Sequence, residues 1–401
     1  MRQFLIAVFL LLPLTASADT QLSQREYQLL IKAFKFIESE QYTAAHKQLM
    51  LARSQVRSDY ARALVSHNLG QVELQREDYS KALGHLGDAY KLQALPEDQQ
   101  NNLVRTLAQL NCIEEKWQAC ATHLEHWMKE VSNKVKADDQ LLLAQAYSQL
   151  EKWSKVVKPI DAAISHRKIA PESWYQLKVV AHIRLKQWKA AIRGQKRMIS
   201  HYADNPAHWR QLVSLHLQAR DSKSALADQR IGFERGLLRK AGDYRLLAQM
   251  MLQAAIPYYA GQVLQQGMDK GVLSANKKNL ALLSQCWIQA RESQRALSVL
   301  AKLNRLAPSQ KTLTQIAHIQ IQLQNWQAAQ GTLLQAIKAG QGQQPQLQLL
   351  LGIARIKLKN YEQARRSLTI AANDNQIKAT ANGWMRYLDQ INPNDSPVSA
   401  S

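Results

Sequence analysis

Apolar positions in this chain recur at helical spacing, and the helices they predict come in pairs. Residues 64 to 96 show the unit most clearly: Leu69 and Gly70 sit in a first helix, Tyr79-Ser80-Lys81-Ala82 opens a second, Leu86 and Ala89 extend its apolar face, and Pro96 ends it. Eight times an aromatic residue stands three places before a small one at the start of such a second helix: Tyr42/Ala45, Tyr79/Ala82, Trp117/Cys120, Trp153/Val156, Trp188/Ala191, Tyr258/Gly261, Trp326/Ala329 and Tyr361/Ala364. Two weaker copies, Ser222/Ala225 and Ser293/Ala296, complete ten. The small positions follow one another after 37, 38, 36, 35, 34, 36, 35, 33 and 35 residues, a regularity that a single globular core would not impose.

In eight of the ten units the second small residue also lies twelve places after a partner in the first helix: Ala33/Ala45, Gly70/Ala82, Ala108/Cys120, Ala144/Val156, Val213/Ala225, Ser284/Ala296, Ala317/Ala329 and Gly352/Ala364. Small side chains at both places let two antiparallel helices approach closely, with the aromatic residue filling the wedge beside them. One such hairpin cannot bury its apolar face alone, so hairpins must stack.

The pattern resembles the tetratricopeptide repeat (TPR), whose unit has a period of about 34 residues; the likeness covers roughly residues 26 to 372. The resemblance implies an all-α fold class: a right-handed superhelical solenoid of about ten TPR-like helix-turn-helix repeats with a C-terminal capping helix, the first helices lining a concave face. Trp188 comes one residue late relative to Trp174 and Leu177, which predicts a longer turn, and the repeats near Ser222 and Tyr258 keep only part of the signature. Gln376 to Gln390, with Trp384 and Tyr387, reads as the closing helix.

The domain reading is a signal peptide over 1–18, the solenoid with its cap over 19–390, and a disordered tail over 391–401. Arg2, the apolar run from Phe4 to Leu14, and Ala16-Ser17-Ala18 are the three parts of a secretory signal, so a soluble periplasmic protein starting at Asp19 is expected. The apolar run is shorter than a membrane-spanning helix needs.

Charge narrows the partners. The chain carries 52 Lys+Arg against 31 Asp+Glu, a net +21; without the signal this becomes +20, from 51 against 31. Such an excess attracts acidic proteins or anionic membrane surfaces. Export argues against nucleic acid. Of the three cysteines, Cys112 and Cys120 fall on the two helices of one hairpin. A bridge is open to them in an oxidising compartment, but the plainer expectation is a buried apolar role, since Cys120 takes an alanine-type core position.

A second resemblance is narrower. Trp174-Tyr175-Gln176-Leu177-Lys178-Val179-Val180, Arg184-Leu185-Lys186-Gln187-Trp188, Gly236-Leu237-Leu238, Leu247-Ala248-Gln249, Lys278-Asn279-Leu280 and Leu349-Leu350-Leu351-Gly352 look like exported TPR proteins associated with TonB-type energy-transduction clusters. That likeness implies a periplasmic partner of the machinery that drives outer-membrane iron and haem receptors. It brings no catalytic residues.

Two surfaces are candidates for partner binding. Residues 151 to 245 hold 20 Lys+Arg against 8 Asp+Glu, and none of the acids lies between Ser173 and Ala203. This basic patch comprises Lys178, Arg184, Lys186, Lys189, Arg193, Lys196 and Arg197; a merely solvated face is the competing reading. The concave groove would be lined by His67, Gln71, Asn102, Arg105, Gln109, Gln145, Arg210, Ser214, Lys278, Gln285, Lys311, Thr314 and His318, a wall of amides, hydroxyls and cations suited to an extended peptide with carboxylates. His123 and His126 lack a third ligand at metal spacing. With no phosphate loop, no His-Glu-x-x-His and no nucleophile elbow, neither catalysis nor a cofactor is expected. The expected function is a non-catalytic periplasmic adaptor for envelope proteins, within a TonB-type system; the alternative is an adaptor for outer-membrane, polysaccharide or peptidoglycan assembly.

Overall fold

The computed structural model describes residues 21–342 and 344–392, so the signal-peptide and cleavage-site residues, and the tail beyond Asn392, lie outside the described residues. All regular structure among the described residues is helical. Ten hairpins succeed one another: α1 (Gln24–Glu38) with α2 (Tyr42–Gln55), α3 (Asp59–Gln75) with α4 (Tyr79–Leu92), α5 (Glu97–Ile113) with α6 (Trp117–Glu130), α7 (Ala137–Gln149) with α8 (Trp153–Ser165), and α9 (Glu172–Arg184) with α10 (Trp188–His201). Then come α11 (Pro206–Gln218) with α12 (Ser222–Glu234), α13 (Ala241–Gln253) with α14 (Pro257–Asp269), α15 (Lys277–Gln289) with α16 (Ser293–Leu306), α17 (Gln310–Gln322) with α18 (Trp326–Ala339), and α19 (Pro345–Lys357) with α20 (Tyr361–Ala371). A last helix, α21 (Lys378–Ile391), follows, and it runs one residue past the expected domain limit.

The chain divides into two compact units, one ending at Ala203 and the other beginning at Asp204. The first holds α1 to α10 and the second α11 to α21. Within each, every helix packs on its hairpin mate, and successive hairpins pack on one another. In the second unit α21 covers the final hairpin, burying Leu388 against Leu368 and holding Arg365 to Asp389 at 2.5 Å.

The paired small residues sit where the hairpin helices meet: Ala33, Ala45, Ala82, Ala108, Cys120, Ala317 and Ala329 are wholly buried. Gly70 and Gly352 are required by close approach, because a Cβ there would stand 2.4 Å and 2.8 Å from the side chains of Leu86 and Leu368. Val179/Ala191 and Ala248/Ala260 occupy the same places in the two hairpins that the sequence pairing left out.

This register corrects three expectations. The small residue of α14 is Ala260, and its first position is Pro257, which suits the helix start; Tyr258 is 36 % exposed, and Gly261 instead makes room for Trp287, whose ring would be 2.7 Å from a Cβ. The turn before Trp188 is no longer than the others. Pro96 is the N-cap of α5, whereas α4 has already ended with Gln93 in a left-handed conformation, φ 49°.

All ten hairpin turns are built alike, by a Schellman-type closure. Glu40, Glu77, Glu115, Glu151, Lys186, Arg220, Ala255, Arg291, Gln324 and Lys359 each have φ between 54° and 62°. The next residue donates its N–H to the carbonyl five places back, as in Asp78 to Glu73 (3.0 Å), Asp221 to His216 (2.9 Å) and Asn360 to Arg355 (2.9 Å). No glycine serves in any of them.

Cys112 and Cys120 are buried in the core, as their apolar role requires, but they are joined as a disulfide, their Cα atoms 5.2 Å apart, instead of standing as separate thiols. The same close helix approach that demands small residues also brings two thiols within bonding reach.

Candidate docking surfaces

On α10 the apolar pattern turns Ala191, Gln195 and Met198 inward, which leaves Lys189, Arg193, Lys196 and Arg197 along the outward face at spacings of four, three and one. All four are exposed. The helix contains no acidic residue, and no carboxylate among the described residues pairs with any of the four. The rest of the predicted patch is engaged or apart. Lys178 on α9 pairs with Asp161 of α8 at 2.5 Å, Arg184 stacks over Trp153 at 5.6 Å, and exposed Lys186 forms the left-handed turn, φ 55°.

The first-helix residues are less free than their composition implied. Arg105 donates from Nε and Nη2 to Asp139 Oδ1 (3.0 and 2.8 Å), and Arg210 from Nε and Nη2 to the two oxygens of Asp243 (2.9 and 2.8 Å). Both aspartates are buried and also accept the backbone N–H of the residue that precedes their helix, Lys136 or Lys240. Arg105 therefore ties α5 to α7, and Arg210 ties α11 to α13, each across one hairpin boundary. Burial pushes the His67 imidazole down to about 4, so it carries no charge at neutral pH, and its Nε2 lies 3.5 Å from the Gln71 amide. Thr314 donates its hydroxyl to Gln310 O (2.9 Å). Gln109 is half-buried, while Asn102, Gln145, Ser214, Lys278, Gln285, Lys311 and His318 are exposed. The set falls into two, residues 67 to 145 in the first unit and 210 to 318 in the second.

His123 Nδ1 donates to Ala119 O (2.7 Å) and the ring meets Tyr90 edge-on, and no group of three metal-ligating side chains forms among the described residues. No described helix is long and apolar enough to cross a membrane.

A third surface was missed by the sequence reading. In the second unit an open trough of about 1300 Å³ runs along α12, α14 and α16. Leu247 and Met251 of α13 and Trp287 of α15 form its floor with Leu226, Val263 and Val299; Lys223, Arg230, Lys270, Arg295 and Lys302 stand around it. Among the described residues, its three walls are the only second helices that begin without an aromatic residue, at Ser222, Pro257 and Ser293. That absence was the signal available in the sequence.

No protein-family model matches the chain, and no curated protein matches it. Among solved structures, the chain is similar to a tetratricopeptide repeat protein from Parabacteroides merdae, with 13 % identity, a TM-score of 0.35, and coverage of 66 % of this chain and 99 % of that one. MamA from Desulfovibrio magneticus matches with 14 % identity and a TM-score of 0.33, over 43 % of this chain and 93 % of that one. The Cut9–Hcn1 hetero-tetramer of the APC/C gives 12 % identity and 0.28, over 87 % and 79 %. The fold class stands on the hairpins themselves: their number, their paired small residues and their common turn.

Proposed function

We propose that this chain is a non-catalytic, protein-binding scaffold of the periplasm that serves a TonB-type energy-transduction system for iron or haem uptake. The observation that carries the reading is the α10 face, where four exposed cations form no ion pair with a carboxylate among the described residues. Like charges spaced by four on one helix cost a few tenths of a kcal/mol per pair. An acidic partner offsets that cost and gains by long-range attraction. The N-terminal pattern of Arg2, an apolar run and Ala16-Ser17-Ala18 supports export. The Cys112–Cys120 bridge fits an oxidising compartment. The TonB-type role draws on the sequence likeness over residues 171 to 372.

Affinity purification of the tagged protein from envelope extract tests it. Inner-membrane energy-transduction components should be recovered, should fall away as salt is raised, and should be lost with the triple variant Lys189→Glu, Arg193→Glu, Arg197→Glu. Capture indifferent to that variant removes the α10 reading. Recovery of cell-wall synthases or outer-membrane assembly subunits instead moves the scaffold to envelope assembly.

A further inference from the structure

We infer that the trough along α12, α14 and α16 is a separate docking site, for a short acidic segment of a partner protein that carries aromatic or aliphatic anchors. The inference rests on the scaffold reading and gives it a second face. Its walls are second helices, and none of its lining residues belongs to the first-helix groove set that the repeat pattern pointed to.

Three features set the chemistry of the occupant. The floor is apolar, with Trp287 and Met251 beneath and Tyr259 left 60 % exposed beside them, a placement that water alone does not favour. The surrounding charge is mainly positive and partly uncommitted. Arg230 is held by Glu234 at 2.6 Å, and Arg295 lies 3.6 Å from Glu292 and stacks over Trp287 at 4.9 Å. Lys223, Lys270 and Lys302 meet no carboxylate among the described residues. Ammonium groups beside an apolar floor suit carboxylates flanking a buried side chain.

The third feature separates a peptide from other anionic occupants. Gln262 and Gln266 are exposed on the α14 wall, and an amide both donates and accepts, as a peptide backbone requires. A phosphate surface only accepts. Glu234 and Asp269 on the same trough oppose a continuous anionic sheet. A second copy of this chain, at a net +21, would be repelled. The volume is about that of two to three turns of a helix ~10–12 Å across, so the segment is short.

Selection of a displayed library of random 12-residue peptides on the full chain tests the inference. Enriched sequences should combine Asp or Glu with Trp, Phe or Leu. Anisotropy with the enriched peptide, labelled, should show at least a tenfold loss of affinity with Tyr259→Ala and with the pair Lys223→Glu, Lys302→Glu. All these side chains are exposed, and unchanged circular dichroism and melting temperature would exclude misfolding. An alanine-for-anchor version of the peptide should also bind at least tenfold more weakly, while the α10 triple variant should leave binding unchanged. No enrichment, or binding that survives both trough variants, overturns the inference. So does loss on the α10 variant, although that result keeps the scaffold reading. Equal binding to phosphatidylglycerol vesicles, abolished by the same trough variants, would reassign the site to lipid.

Discussion

In the hairpin α3/α4, Leu86 of the second helix packs wholly buried against Gly70, whereas in α11/α12 the corresponding position is Gln229, equally buried, with its Nε2 donating to Asp243 O at 3.1 Å. The contrast extends to the residue whose carbonyl closes each turn. Glu73 is fully buried between His46 and Arg76, at 2.5 and 2.7 Å; His216, at the same place, lies between Asp221 and Asp228, at 3.3 and 3.2 Å. One hairpin sets an acid among bases and the other a base among acids. The repeat therefore fixes backbone path and side-chain volume, while each hairpin's neighbours fix the chemistry. What α11/α12 gives up in apolar regularity, α12 spends as a wall of the trough.

The largest test reverses the core residue. Leu86→Gln should destabilise by about 3–5 kcal/mol, combining lost apolar burial with an amide that finds no partner beside Gly70. Urea unfolding of the full chain measures it, and a loss below about 1 kcal/mol would mean that α3/α4 is as tolerant as α11/α12. Next, Arg210→Met should cost about 2–3 kcal/mol, because Asp243 keeps only backbone donors for a buried carboxylate. The corresponding residue of α3 is His67, already neutral, so His67→Met should stay within about 1 kcal/mol at pH 7.

The His67 variant should also show a pH signature. With the folded imidazole held near 4 and the unfolded one near its ordinary 6.5, the unfolded chain takes up the proton first. Stability is complete above about 6.5 and declines as the pH falls towards 4. His67→Met should flatten that window. The reciprocal core change, Gln229→Leu, should be worth about 1 kcal/mol or less in either direction: it removes the bond to Asp243 O but also a buried amide oxygen that has no partner.

The hairpins were legible because a twelve-residue interval between small side chains is a packing requirement, and packing repeats. The slip at Tyr258/Gly261 arose because aromatic and small residues stand in the right order one place late, while Pro257 gave the true start. Arg105 and Arg210 look like groove cations in a linear chain; their aspartates lie 34 and 33 residues on, one repeat away, and pairing depends on the helix facing that only stacking sets. Trough residues come from five helices and share no local pattern. Only the missing aromatics at Ser222, Pro257 and Ser293 marked the place.

The smallest effect concerns what the two hairpins have in common. Glu77 and Arg220 both sit at φ 59° in their turns, where an L side chain costs about 1–2 kcal/mol. Glycine removes that strain but adds about 0.5–1 kcal/mol of unfolded-chain entropy. Glu77→Gly and Arg220→Gly should therefore each stabilise by about 0.5 kcal/mol. Neither residue is buried, so no core contact is lost. Equal gains would show that the turn is indifferent to whether a leucine or a glutamine fills the core behind it. A gain at Glu77 alone would mean that the polar hairpin relaxes its turn, and the two regions would differ in backbone as well as in chemistry.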